Sequence, residues 1–139
     1  MGMIGTLAAW VLAVILLVTG VAKLLDQPAF GNALAAVGLL PTIAARVVVL
    51  LLPWIEVVTA FALVRPGWRR AGAVIALALS LAFVAYASAG AWWQKPVQCG
   101  CLGARPVAAG WGQHALIAAA MVAAAILALR GSRAADDSR

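Results

Sequence analysis

Residues 1–22 read MGMIGTLAAWVLAVILLVTGVA and contain no charged side chain. Residues 71–94 and 106–129 are also free of charged side chains, if His114 is counted as neutral. The hydrocarbon core of a bilayer is about 30 Å thick, so about 20 consecutive apolar helical residues cross it. Each of these three stretches is therefore long enough to form one membrane span.

The composition of the whole chain agrees with this interpretation. Of its 139 residues, 66% are apolar and only 10% are charged. A soluble domain is nearer half apolar and a quarter charged, and so small a chain has too little interior to bury this much apolar surface. These figures exclude a soluble globule, a disordered tail and a nucleic-acid-binding domain. The net charge of +6 is then explained by membrane insertion and anionic lipid headgroups.

A fourth apolar stretch, residues 44–64, is interrupted by Arg46 and Glu56. The first stretch lacks the basic n-region of a signal peptide and is longer than a usual h-region, so we predict a retained span. The sequence thus predicts an all-α, integral membrane four-helix bundle that forms a single domain over residues 1–139. Its predicted spans are about 4–25, 44–64, 71–91 and 113–130.

The connections between the spans differ in length and character. Residues 29–40 are apolar but too short to cross a membrane, and Pro28 and Pro41 are start and stop signals for a helix. We predict a short interfacial helix there. A basic turn, residues 65–70, joins spans two and three, and a loop of about residues 92–112 precedes the last span.

The basic turn also predicts the orientation. Arg65, Arg69 and Arg70 lie in a short loop, where the positive-inside rule has most weight. We therefore predict a multi-pass protein of the cell (inner) membrane with both termini in the cytoplasm. The loop of residues 92–112 is then extracytoplasmic.

The chain has two cysteines, Cys99 and Cys101, and both lie in this loop with Gly100 between them. Disulfides persist in oxidising compartments, and glycine gives the backbone the freedom that so small a ring requires. Such a bond would be a weak staple, whereas strained, exposed disulfides are typically labile or catalytic. The pattern favours thiol–disulfide chemistry. The alternatives are two inert thiols or a metal site.

His114, the only histidine, follows Cys101 by thirteen residues. A nearby imidazolium favours the thiolate, so His114 is a candidate proton donor and acceptor for the cysteines. The alternative is a histidine hydrogen-bonded in the headgroup region. Two thiolates and one imidazole without a fourth ligand are a weak zinc signature, so we predict no metal site.

Glu56 is the one acidic residue well inside a predicted span. An ionisable group at that depth is costly and is a candidate functional residue by default. Lys23 and Arg46 are its candidate partners, although helical rise places both nearer the outer surface. The alternative is a protonated Glu56 that hydrogen-bonds a neighbouring helix. Four aromatic residues are candidates for lining a quinone pocket, with core packing as the alternative: Trp54, Phe61, Phe83 and Tyr86.

Three pieces of the chain carry a resemblance to the MauE family of methylamine-utilisation membrane proteins, within the wider DoxX-like group. The first piece is GVAKLLD at residues 20–26, followed by Phe30 and by GLLP at residues 38–41. The others are LPWIE at residues 52–56 and CGCLG at residues 99–103. The last is similar to the family's Cys-Gly-Cys-Phe-Gly, with Leu102 in place of the aromatic residue.

The resemblance implies a four-helix membrane bundle involved in the maturation of methylamine dehydrogenase, whose small subunit has many disulfides. It also implies a thioredoxin-like extracytoplasmic partner. The bundle resembles vitamin K epoxide reductase and DsbB-type proteins, which pass electrons from thiols to quinone. That comparison is an analogy of fold, and it makes quinone the one cofactor to consider.

We therefore predict a membrane thiol–disulfide oxidoreductase or electron relay. Cys99 and Cys101 would exchange electrons with the thioredoxin-like partner, while His114 and Glu56 would handle protons. Two other interpretations stay open. One is a non-catalytic assembly subunit in complex with other membrane subunits, and the other is a transport or quinone-binding subunit centred on Glu56.

Overall fold

A computed structural model describes residues 3–92 and 111–136, without the side chains at positions 90–91, 111–115 and 132–136. These residues form five α-helices and no strand, which confirms the all-α prediction. The helices are α1 (Met3–Leu25), α2 (Gln27–Val37), α3 (Thr42–Val64), α4 (Arg69–Trp92) and α5 (Trp111–Asp136). Within the described residues, three stretches are long and apolar enough to cross a membrane: Met3–Leu25, Thr42–Val64 and Arg69–Ala89. A shorter apolar stretch, Leu116–Gly131, lies in α5.

Two helix ends differ from the sequence prediction. The sequence predicts an end of the last helix at residue 130, but this helix continues to Asp136, because polar residues end an apolar stretch without ending a helix. The short helix ends at Val37, where Gly38 adopts a left-handed φ of 64°. Glycine takes this conformation without steric cost, so the stop signal is Gly38. Pro41 instead stands at the N-cap of α3.

The helices pack through small residues. Helix α1 packs against α3 and α5, α4 packs against the same two helices, and α2 packs mainly on α3. The core cluster is mostly alanine, with leucine at a few positions: Ala9, Leu12, Ala13, Leu16, Ala60, Leu63, Ala73, Ala76, Ala125 and Ala128. Small residues let helix backbones approach closely, which favours helix association in lipid.

Many of the larger apolar side chains point outward. On α1, Trp10, Val14 and Val18 recur every four residues and so share one face of the helix, and each is about half exposed. A large exposed apolar surface marks a site of interaction with protein or membrane. Small residues inside and large ones outside are the arrangement expected of helices that contact lipid.

Close contacts define the two ends of the protein. A Cβ atom on Gly5 would lie 2.9 Å from Cα of Gly131, so the start of α1 is next to the end of α5. Arg69 Nε donates a hydrogen bond of 3.0 Å to the carbonyl oxygen of Leu63, which holds the turn between α3 and α4 at this same end. The other end, called here the α2 end, carries α2, the end of α4 and the start of α5.

Candidate functional site

Lys23 and Glu56 form a buried ion pair between α1 and α3. The ammonium Nζ of Lys23 donates a hydrogen bond of 2.5 Å to Oε1 of Glu56. The two residues are 4% and 7% exposed, respectively. An unpaired charge at such a site would cost several kcal/mol, so each residue makes the burial of the other tolerable.

Gly20 explains how the two side chains meet. A Cβ atom at Gly20 would lie 3.0 Å from the carbonyl oxygen of Pro53 and 3.1 Å from Cβ of Glu56. Glycine therefore lets α1 approach α3 at the level of Glu56. Lys23 follows three residues later on the same face, and helical side chains point back toward the N-terminus. The long side chain of Lys23 therefore reaches Glu56, although helical rise places the two residues at different depths in the membrane.

Helix α2 covers the ion pair from one side. Oδ1 of Asp26 accepts a hydrogen bond of 3.1 Å from the backbone N–H of Ala29 and caps the start of this helix. The cap places Phe30 in the first turn, where the ring centroid lies 5.4 Å from Nζ of Lys23. This is a cation–π distance. The ammonium therefore contacts both a carboxylate and an aromatic face.

One oxygen of Glu56 has no partner of its own. Oε2 is buried and accepts no hydrogen bond from any residue in the described part of the chain. Buried polar atoms are nearly always hydrogen-bonded in native proteins, so an exception calls for an explanation. The site therefore offers a hydrogen-bonding atom beside a cation.

The ion pair lies at the wall of a cavity of about 500 Å³. Helices α1 to α4 and the α2–α3 connection all contribute to its lining. Apart from Lys23, Glu56 and Tyr86, the described lining side chains are apolar: Phe30, Ala33, Leu34, Leu39, Leu40, Val48, Leu52, Leu79, Ala82, Phe83 and Ala85. The cavity thus combines an apolar wall with one charged pair.

The structure divides the four aromatic candidates into two groups. Phe83 and Tyr86 line the cavity, and the Tyr86 hydroxyl donates to the carbonyl oxygen of Ala33 at 3.5 Å. Trp54 and Phe61 are 57% and 60% exposed and lie outside the cavity. They share the outward face of α3 with Val58, which is 61% exposed. Of the two predicted cofactor-binding residues, the structure thus brings Tyr86 to the cavity and leaves Trp54 on the surface.

The remaining predicted site residues do not belong to the described lining of this cavity. Cys99 and Cys101 fall outside the described residues, as does the side chain of His114. Arg46, the second candidate partner of Glu56, is exposed on α3. Within residues 3–92 and 111–136, no group of three His, Cys, Asp or Glu residues is placed to hold a metal ion.

Sequence reasoning proposed Lys23 as a partner of Glu56 but did not establish the pair. It named Phe83 and Tyr86 as candidates for lining a pocket, but it did not place the ion pair beside them. The signal available was Gly20, since a glycine three residues before a lone lysine in an apolar helix indicates a close helix contact. Opposite charges in two apolar helices are also each too costly to remain unpaired.

Comparison with known proteins identifies the family of this chain. Neither the curated proteins nor the solved structures gave a match. A family model described as methylamine utilisation protein MauE matches residues 1–131. This range includes all the residues that line the cavity and the Cys-Gly-Cys segment. Together with the three long apolar helices, the match makes this chain a membrane protein that belongs to the MauE family.

Proposed function

We propose that this protein is a membrane thiol–disulfide oxidoreductase or electron relay that uses Cys99 and Cys101. The observation that carries the proposal is that the only two cysteines of the chain are two positions apart, with Gly100 between them, in the segment between α4 and α5. Family membership supports a role in methylamine utilisation. The partner we propose is a thioredoxin-like extracytoplasmic protein that serves the disulfide maturation of methylamine dehydrogenase.

The exchange we propose is ordinary thiol–disulfide chemistry. A thiolate of the reduced pair attacks a disulfide of the partner, forms a mixed disulfide and releases one partner thiolate. The second cysteine then attacks this mixed disulfide, which forms the Cys99–Cys101 bond and releases the second partner thiolate. In this direction two electrons pass from the pair to the partner. Disulfide formation in methylamine dehydrogenase uses the reverse sequence, in which the oxidised partner is regenerated and its two electrons reduce the Cys99–Cys101 disulfide to two thiols.

The topology we propose places this chemistry outside the cytoplasm. Helices α1, α3, α4 and α5 would be four spans of the inner membrane, and α2 would lie at the outer interface. Arg65 in the α3–α4 turn and Arg70 at the start of α4 lie at the opposite end from α2, and they support this orientation under the positive-inside rule. Residues 93–110 join two helix ends that both belong to the α2 end.

We assign proton handling to His114 and Glu56. An imidazole near a thiol favours its thiolate form, and His114 stands in the first turns of α5, shortly after the cysteines in the chain. The unpartnered Oε2 of Glu56 supports a second proton-exchanging group inside the protein.

The direct test replaces both cysteines. We expect the Cys99→Ser, Cys101→Ser double variant to lose the ability to support disulfide formation in methylamine dehydrogenase, measured by trapping free thiols of its small subunit. An Ala78→Ser variant, which places a hydroxyl at an exposed position of α4, is the control and should remain active. Full disulfide formation with the double variant would overturn the proposal.

The double cysteine variant, together with a Glu56→Gln variant, separates the two rival functions. An assembly subunit predicts that a stoichiometric partner still co-purifies and functions after cysteine replacement. A transport or quinone-binding subunit centred on Glu56 predicts that Glu56→Gln abolishes function while cysteine replacement has a mild effect. The buried ion pair is the observation that favours this second candidate.

A further inference from the structure

The cavity beside the Lys23–Glu56 pair has two complementary hydrogen-bonding groups at its polar wall. Oε2 of Glu56 is buried without a hydrogen bond partner among the described residues, and the Glu56 side chain is nine-tenths buried. The Lys23 ammonium has three N–H donors, of which one is directed at Oε1. A ligand group that accepts a hydrogen bond from Nζ of Lys23 and donates one to Oε2 of Glu56 would provide partners for both groups.

The rest of the cavity suits an apolar ring. Its volume is about 500 Å³, and most of its lining is aliphatic or aromatic, including Phe30 and Phe83. Cavities with apolar walls and a few convergent polar groups are the usual form of a small-molecule site. Ala82 and Ala85 line the cavity and are also exposed, so the cavity is open beside α4, where a lipid-soluble molecule has access.

We propose that this cavity binds a lipophilic ring compound that carries a hydroxyl group, with the hydroxyl between Lys23 and Glu56. A hydroxyl has one O–H donor and two acceptor lone pairs, so it donates to Oε2 and accepts from Nζ at the same time. A carboxylate would be repelled by Glu56 and an ammonium group by Lys23, while a hydrocarbon would leave Oε2 unpaired. The proposal is independent of the cysteines.

The test compares two ring compounds of nearly equal size. The purified chain is placed in lipid nanodiscs and titrated by calorimetry with 2-naphthol and with 2-methylnaphthalene, and empty nanodiscs supply the partitioning blank. Hydrogen bonds to charged groups are stronger than those between neutral groups. We expect 2-naphthol to bind about tenfold more tightly, a difference of about 1.4 kcal/mol. Equal dissociation constants would overturn the proposal and indicate a cavity that only takes up hydrocarbon.

Two sets of variants locate the binding. In the Lys23→Met, Glu56→Leu double variant, we expect the preference for 2-naphthol to disappear while 2-methylnaphthalene still binds. Ala82→Leu fills the cavity from α4 and should weaken both compounds at least tenfold. Ala78→Leu makes the same change one turn earlier, at an exposed position that does not line the cavity, and should have no effect.

The two sets of variants test the proposal independently of each other. If the double variant does not fold, the comparison of Ala82→Leu with Ala78→Leu still tests the location. A hydroxyl preference that persists without the ion pair would contradict the proposal, as would binding that is unchanged by Ala82→Leu.

Discussion

Nζ of Lys23 lies 2.5 Å from Oε1 of Glu56, although 33 residues separate the two in the chain. The pair joins α1 to α3 at the wall of the cavity, where Phe30 of α2 also contacts the ammonium. Three helices thus meet at one charged contact inside an apolar protein. This contact links the packing of the fold to the most distinctive site among the described residues.

Removing one member of this pair should destabilise the protein strongly. Glu56→Leu leaves the Lys23 ammonium buried without its counter-charge, and breaking a buried pair in this way costs about 3–5 kcal/mol. Thermal unfolding of the purified protein in detergent would show a lowered Tm. The Lys23→Met, Glu56→Leu double variant should recover most of the loss, because it leaves no buried charge. A single variant that is as stable as the double variant would argue against a buried ion pair.

Gly20 should be intolerant of even one methyl group. In Gly20→Ala, the new Cβ meets the backbone oxygen of Pro53 at 3.0 Å, and a backbone atom has little freedom to move away. Overpacking of this kind costs about 1–3 kcal/mol, more than the helix propensity gained from alanine. Gly67→Ala is the matched control, since a Cβ atom at Gly67 would have no atom within 4 Å. Equal Tm values for the two variants would show that α1 and α3 are not in such close contact.

The proposed orientation predicts which end of α3 is accessible from outside the cell membrane. In a chain whose own cysteines are replaced by serine, we would place single cysteines at Thr42 and at Gly67, both exposed and near opposite ends of α3. Thr42→Cys should react with a membrane-impermeant maleimide added to intact spheroplasts. Gly67→Cys should react only after permeabilisation. The opposite labelling pattern would reverse the topology and place residues 93–110 on the cytoplasmic side.

Single cysteine replacements should trap the partner. When the cysteine that resolves the mixed disulfide is replaced by serine, the intermediate with the thioredoxin-like protein has no intramolecular exit. One of the two single variants, Cys99→Ser or Cys101→Ser, should therefore accumulate a covalent complex. This complex should be visible on a non-reducing gel and should disappear when the sample is treated with a reducing agent. The double variant is the control and should form none. Absence of a complex with both single variants would weigh against direct exchange with a partner.

The helices were predictable because charge is so costly in lipid. The charge-free stretches at residues 1–22 and 71–94 correspond to α1 and α4, and no detailed knowledge of packing is needed to find them. However, because these helices are apolar on most sides, the sequence did not indicate which face of each helix points toward the core. Because α3 and α4 are apolar on nearly all sides, their residues offer no contrast between lipid and core. Trp54 of α3 and Tyr86 of α4 were therefore equal candidates for the pocket.

The sequence indicated Lys23 and Arg46 as candidate partners of Glu56 but could not decide between them, for a geometric reason. Helical rise alone places Lys23 nearer the surface than Glu56, and only the close approach at Gly20, together with the reach of the lysine side chain, closes the gap. The cavity depends on four helices at once, so no pattern within one helix predicts it. The cysteines, by contrast, are a sequence feature, and their chemistry stays a prediction.

The most direct test of the central claim is the redox state of Cys99 and Cys101 in native membranes. Free thiols would be trapped with a membrane-impermeant maleimide after equilibration in a series of thiol redox buffers. The account predicts a reversible two-electron couple, labelled from outside, with a potential between about −120 and −270 mV, the range of thioredoxin-like oxidoreductases. Thiols that stay free at every buffer ratio, or that react only from the cytoplasm, would contradict it.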